Sequence, residues 1–106
     1  MNRRSLVGVV LVMDIRHPLK EFDEMMLEWA AANGVKVHAL LTKSDKLKRG
    51  PAKSTMLKVR QEMKKRGVEG SAQTFSGLNN DGVDELRLKL AEWLDLENPT
   101  EIPVNL

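Results

Sequence analysis

The chain has no cysteine and no tyrosine, and its 106 residues include only two phenylalanines, two tryptophans and two histidines. Without cysteine there can be no disulfide scaffold, no thiolate metal site and no cysteine nucleophile, which fits a reducing compartment. His17 and His38 lie too far apart in sequence to build a histidine-rich metal site alone. No apolar run approaches the roughly 18 residues of a membrane helix. The opening Met1-Asn2-Arg3-Arg4 is basic, but the apolar stretch behind it is strand-sized and has no small-residue cleavage site. A signal peptide is therefore rejected and a cytoplasmic location expected. Two phosphate-binding signatures are also missing. There is no G-x-x-x-x-G-K-[ST], since Thr42 rather than glycine precedes Lys43-Ser44, and there is no D-x-x-G.

What is present is a globular composition. Hydrophobic residues make up 42% and charged residues 30%, which argues against disorder. A chain this long buries roughly two thirds of its unfolded surface, enough for one core. The net charge of +2 conceals an asymmetry. Lys43 to Arg66 holds ten basic and two acidic residues, and the remainder holds seven basic and thirteen acidic ones. Such a block is either a solvated face or an electrostatic footprint for a phosphate-rich partner such as RNA.

Hydrophobic periodicity divides the chain into three strand-helix units. Leu6 to Met13 is continuously apolar and β-branched, as in a strand buried on both faces. Pro18 to Ala32 shifts to helical spacing, with Leu19, Phe22, Met26 and Trp29 as the expected core stripe and Asn33-Gly34 as the stop. Val35 to Leu41 predicts a second strand, and Gly50-Pro51 punctuates the loop after it. A helix is expected from about Lys53 to Arg66, carrying Met56, Val59 and Met63. Ser71 to Phe75 predicts a third strand, and Asn79-Asn80-Asp81 supplies cap candidates. A last helix over Gly82 to Leu94 carries Val83, Leu86, Leu90, Trp93 and Leu94. Met25, Met26, Met56, Met63, Trp29 and Trp93 are expected in the core. Residues 1–96 thus read as one α/β unit, and 97–106, with two prolines, as an irregular tail.

Alternating strands and helices imply a parallel sheet. Right-handed crossovers marching one way place the first two helices on one face and leave only the third for the other. A parallel sheet needs both faces covered, and the apolar first strand would lie at an edge. The chain therefore reads as part of a larger sheet, or as one that completes itself with a second copy.

Ligands in such sheets bind at the carboxyl ends of the strands. Those ends run into Asp14-Ile15-Arg16-His17-Pro18, Thr42-Lys43-Ser44-Asp45 and Phe75-Ser76-Gly77-Leu78. The second matches the [NT]KxD pattern that recognises guanine. Guanine presents two adjacent donors, N1–H and the exocyclic amine, and an ionised carboxylate is an acceptor-only fork that takes both. Adenine would leave that fork unpaired. The lysine's methylene stem can cover the base ring. In the third segment a small central residue lets a backbone N–H approach guanine O6, and the serine can hold the carboxylate. Ser-Gly is also ordinary turn chemistry.

The run Leu11 to Pro18, the spacing through Met26 and Trp29 to Leu40-Leu41-Thr42-Lys43-Ser44-Asp45, and Thr74 to Leu78 followed by Gly82-Val83-Asp84-Glu85-Leu86 resemble the carboxyl-terminal half of the EngB (YihA/YsxC) family of bacterial GTPases. The resemblance spans nearly the whole chain, and the Asp-Ile-Arg-His-Pro run is its most specific part. It implies the three-layer parallel-sheet half of a Ras-like P-loop GTPase domain, with the amino-terminal phosphate-binding half absent. It implies GTP and GDP as ligands, Mg²⁺ held by residues not in this chain, a role in assembling the large ribosomal subunit, and a need for it in cell division and septation. By the same resemblance Thr42, Lys43, Ser44, Asp45, Phe75, Ser76 and Gly77 form the base site. Asp45 reads the base, Lys43 stacks on it, Ser76 steadies Asp45, and Gly77 stands where the family usually has serine. No catalytic or metal-binding residue is expected here, and Asp14, Arg16 and His17 read as a salt-bridged strand terminus with no further role derived. Two other readings stand beside this one. One is a nucleotide-independent RNA- or ribosome-binding module working through residues 43–66, and the other is an α/β scaffold that dimerises through its first strand.

Overall fold

A computed structural model describes residues 8–94. The element order is β1 (Gly8–Asp14), α1 (Glu21–Asn33), β2 (Lys36–Thr42), a single 3₁₀ turn (Ser44–Lys46), α2 (Arg49–Lys65), β3 (Gly70–Thr74) and α3 (Val83–Leu94). The strands form one parallel sheet in the order β1-β2-β3, with Val12 opposite Leu40 and Leu40 opposite Gln73. The sheet is therefore the expected α/β arrangement. The predicted tail and the first residues of the predicted first strand lie outside the described residues.

Strand alternation splits the core in two. On one face Leu11, Met13, Val37, Ala39, Leu41 and Ala72 pack against Leu27 and Ala30 of α1 and Ala52, Val59 and Met63 of α2. On the other, Leu40 and Phe75 pack against Leu86, with Val10, Val83 and Leu90 at the margin. Two helices thus cover one face and one covers the other, as the crossover rule requires. The ring of Trp93 lies against Gly8, where an added Cβ would come within 2.7 Å of it. Trp93 also meets His38 edge-on, with centroids 6.4 Å apart.

Several expectations about side chains are corrected. The buried stripe of α1 is Asp23, Leu27 and Ala30, while Phe22 is 64% exposed and Trp29 42%. The helix begins three residues later than predicted, after Leu19 turns at φ 58°, and of the expected stripe Leu19 and Met26 still pack against the core. Asp23 faces inward because its carboxylate accepts the Lys20 backbone N–H at 2.9 Å, satisfying a donor at the helix start. Met25 is likewise exposed, as is Leu94 of α3. Helix α2 begins at Arg49, so Pro51 lies in its first turn rather than before it. A first-turn residue has no intrahelical use for its N–H, so proline costs nothing there. Gly34 ends α1 in the left-handed conformation at φ 65°, as predicted.

The α3 face also buries a polar set. His38 Nε2 lies 2.6 Å from Gln73 Oε1, and His38 Nδ1 lies 2.7 Å from Ser71 Oγ. The Gln73 amide nitrogen donates to the carbonyls of Thr74 and Gly82, so its oxygen must face the histidine. Nε2 therefore carries the proton, and Nδ1 accepts the serine hydroxyl. Burial pushes the His38 pKa below its ordinary value, against the opposing pull of the Gln73 hydrogen bond.

Candidate functional site

The carboxyl ends of all three strands meet at one edge of the sheet. Backbone hydrogen bonds stitch them together: Ile15 N–H donates to the Thr42 carbonyl, Phe75 N–H to Leu41, and Ser44 N–H to Phe75. The Thr42 hydroxyl adds a bond to the Met13 carbonyl at 3.1 Å. Lys43 turns the chain at φ 61° into the 3₁₀ turn. That brings Ser44 inward and leaves Asp45 at the rim.

One oxygen of Asp45 is held by a short hydrogen bond and the other by a looser ion pair. The Ser76 hydroxyl donates to its Oδ1 at 2.7 Å. Ser76 is itself fixed: it exchanges both backbone hydrogen bonds with Asp81 in an antiparallel bridge, and its Oγ accepts the Asn79 N–H at 3.2 Å. The Lys46 ammonium lies 3.9 Å from Asp45 Oδ2. The Ser76 hydrogen bond is the main cause that holds the Asp45 carboxyl below its ordinary pKa. An ionised, oriented acceptor at the rim of a cavity can take a pair of donors.

That cavity, about 350 Å³, is lined by Thr42, Lys43, Asp45, Lys46, Phe75, Gly77 and Leu78. Its size is at the lower end for ligand sites. Phe75 is buried, while Gly77 and Leu78 are exposed at the mouth. An added Cβ on Gly77 would meet only Phe75, at 4.0 Å, so a serine or alanine would fit without displacing anything. A larger depression of about 680 Å³ lies on the other flank of Asp45, between the start of α2 and the β3–α3 loop. It is framed by Arg49, Lys53 and Asp81. The smaller cavity brings the Lys43 and Asp45 side chains together with Phe75, Gly77 and Leu78 of the second loop.

All seven residues expected at the base site converge on these two loops. Five of them line the cavity, and Ser76 holds Asp45 there. Ser44 faces the other way, its hydroxyl donating to Asp81 Oδ2 at 3.0 Å. Two contributors were missed from sequence. Asp81, expected as a helix cap, instead ties Ser44 to Thr74, whose hydroxyl lies 3.3 Å from the same oxygen. Asp14 carries the other missed contact. Its carboxylate accepts Arg16 through the backbone N–H at 2.9 Å, Nε at 3.2 Å and NH2 at 3.0 Å, and reaches the Lys43 ammonium at 3.4 Å. These bonds, the Arg16 side chain foremost, hold Asp14 well below the usual carboxylate range. The Asp-x-Arg spacing was visible, but its link to a residue 29 positions away was not. His17 is exposed and contributes its backbone N–H to the Asp14 carbonyl.

The chain resembles known proteins along nearly all its length. It is 50% identical over 107 residues to a probable GTP-binding protein EngB of Acinetobacter baumannii, covering 99% of this chain and 51% of that protein. It is 54% identical to the Acinetobacter baylyi counterpart, over 90% of this chain and 40% of that one. The Azoarcus counterpart is 50% identical, over 88% and 45%. The chain belongs to the EngB family. It spans about half the length of the curated EngB relatives it matches. No protein-family model matches it. Among solved structures the fold matches the apo translation elongation factor SelB of Methanococcus maripaludis, with a TM-score of 0.73 at 19% identity, over 87% of this chain and 21% of that one. The same factor in complex with the GTP analogue GPPNHP gives 0.71 at 22%, over 83% and 20%. The three-stranded EngB sheet is thus a portion of a GTPase fold.

Among the described residues no cluster of three or more His, Cys, Asp or Glu side chains is placed to hold a metal ion.

Proposed function

We propose that this EngB chain is the base-reading part of a GTP- and GDP-binding protein. Asp45 accepts N1–H and the exocyclic amine of guanine. The Gly77 backbone N–H faces O6, and the Lys43 stem covers the ring. The observation that carries this reading is the clamp on Asp45: a buried serine fixes one carboxylate oxygen by a short hydrogen bond, and the other is held by a looser ion pair. Phosphates and Mg²⁺ would be held by an amino-terminal half that this chain does not include, so GTP hydrolysis by the chain alone is not expected.

Nuclear magnetic resonance titration with nucleoside monophosphates tests the reading directly. GMP is expected to move the amide signals of Lys43 to Lys46 and Gly77. Two charge-assisted bonds, less the cost of association, give roughly millimolar affinity. AMP should leave them in place. An equal response to both nucleotides would remove guanine recognition.

Assembly of the large ribosomal subunit in the cytoplasm, with consequences for septation, is the proposed setting. The basic block supports contact with ribosomal RNA in a narrowed form. Arg66 is engaged with Glu24, Glu28 and Glu62, and Arg60 donates to the Ala72 carbonyl, while Lys58, Lys64 and Lys65 project outward. Reversing the charge of those three lysines should weaken RNA binding and lower its salt slope by about 2–3. An unchanged slope would return α2 to a solvated face.

The edge of β1 supports a further proposal. Within the described sheet β1 pairs only with β2, and Val12 on it is 52% exposed. An apolar edge of this kind pairs with another strand. The rest of a GTPase sheet would cover it; without that, a second copy should. Light scattering at tens of micromolar is expected to report a dimer or larger, and a clean monomer would count against this pairing.

A further inference from the structure

Three charged side chains, Lys43, Asp45 and Lys46, line the base cavity, and only the carboxylate is suited to read guanine. Asp45 has cations near it from three directions: Lys46 beside it, Arg16 within electrostatic reach, and Lys43 across the cavity. Fork-to-fork pairing with a guanidinium takes one lone pair on each carboxylate oxygen, the two side-by-side sites that a base edge with paired donors would use. Yet Arg16 does not pair with Asp45. It makes its fork-to-fork bond with Asp14, through Nε and NH2, and Asp14 also draws the Lys43 ammonium to 3.4 Å.

We infer that Asp14 is a positioning residue of the base site: it captures the Arg16 guanidinium and the Lys43 ammonium and so keeps the Asp45 carboxylate open for guanine. This rests on the reading of Asp45 as the base acceptor. Three features make Asp14 the stronger trap. It sits at the end of β1, held in register opposite Thr42, so its position is set by the sheet. Its Oδ1 also accepts the Arg16 backbone N–H, which bends the following turn back on the carboxylate. Arg16 lies two residues away, so little chain entropy is lost in closing the pair. The same contact draws the Lys43 stem across the cavity, where it can cover a base.

The test uses the whole chain and first needs no nucleotide. Carboxyl-carbon resonance titration reads the Asp45 midpoint. In Asp14→Ala the released Arg16 should move onto Asp45 and lower that midpoint by about half a pH unit, the size expected of an exposed ion pair. Removing the competitor as well, in Asp14→Ala/Arg16→Ala, should return it to the parent value or above. Asp14→Asn, which keeps the turn-forming oxygen, should move it in the same direction as the alanine variant and covers the case in which that variant does not fold. GMP affinity should follow, about threefold weaker in the single variants and recovered in the double one. A merely structural role for Asp14 would not be rescued by deleting Arg16. An Asp45 midpoint unmoved in both single variants, or still depressed in the double variant, would overturn the inference. If the midpoints behave as stated but the parent chain does not distinguish GMP from AMP, the electrostatic arrangement stands and the guanine reading fails instead.

Discussion

Asp45→Asn is expected to exchange one base for another. The substitution replaces an acceptor with a donor on one arm of the side chain. Ser76 donates to Oδ1, so the amide will keep its oxygen there and turn its NH₂ toward the cavity. Guanine's paired donors then face a donor, with one bond lost and a repulsion gained. Xanthine carries a carbonyl where guanine carries the amine, and the new NH₂ can donate to it. Sites built on paired hydrogen bonds reject a mismatched analogue by as much as about 10⁴-fold. In a complete protein that includes this segment, GTP affinity should fall by orders of magnitude and xanthosine triphosphate affinity should rise. In this chain alone the GMP response should vanish and an XMP response appear. A variant that keeps full GTP affinity and gains nothing for the xanthine nucleotide would show that Asp45 does not read the base.

His38→Leu is expected to produce the largest change in stability and to remove a pH dependence with it. The leucine fills the space but leaves Gln73 Oε1 and the Ser71 hydroxyl without their partner in a buried layer. An orphaned buried acceptor costs about 1–3 kcal/mol, so denaturant unfolding at pH 8 should show a loss of about 2 kcal/mol. The pH effect has a definite sign. Burial lowers the folded-state pKa of His38 below its ordinary 6.5, so the unfolded chain takes up the proton more readily. Stability is then fully present above pH 6.5 and declines as pH falls from there toward the folded pKa, by at most about 1.4 kcal/mol per pH unit. Lys89, Glu85 and Arg60 act on the ring but are secondary to burial, and all three remain in the variant. The leucine variant lacks this component, so the two stability curves should converge as the pH is lowered from 6.5. Parallel curves across that range would mean that His38 is not held neutral by its burial.

The strands, their parallel order and the placement of two helices on one face and one on the other were legible because each follows from local pattern and chain handedness. The apolar β-branched run from Gly8 to Met13 does form a strand, though Val12 on it stays 52% exposed and the expected burial on both faces is incomplete; a right-handed crossover leaves little choice of side. The meeting of two strand-end loops was legible for a similar reason. Thr42-Lys43-Ser44-Asp45 and Phe75-Ser76-Gly77-Leu78 follow strands, and parallel strands deliver their carboxyl ends to one edge. Convergence needed no contact information beyond the order of the strands.

Helix faces were less legible. Leu19, Phe22, Met26 and Trp29 fit an apolar stripe at helical spacing, but only Leu19 and Met26 pack against the core, beside Leu27 and Ala30, while Phe22 and Trp29 stay exposed. Periodicity gives a stripe up to a rotation, and the packing geometry selects among the candidates. Long-range polar partners were not legible at all. Asp81 binding Ser44, Asp14 binding Lys43 and His38 between Ser71 and Gln73 join residues 29 to 37 positions apart, and no local spacing encodes such a pair. By itself the sequence determined which residue types reach the strand ends, because alternation and chain direction act over a few residues. The tertiary structure alone decided which oxygen of Asp45 is held and which cations are drawn off it, because hydrogen bonds at 3 Å depend on where three separate strands stop.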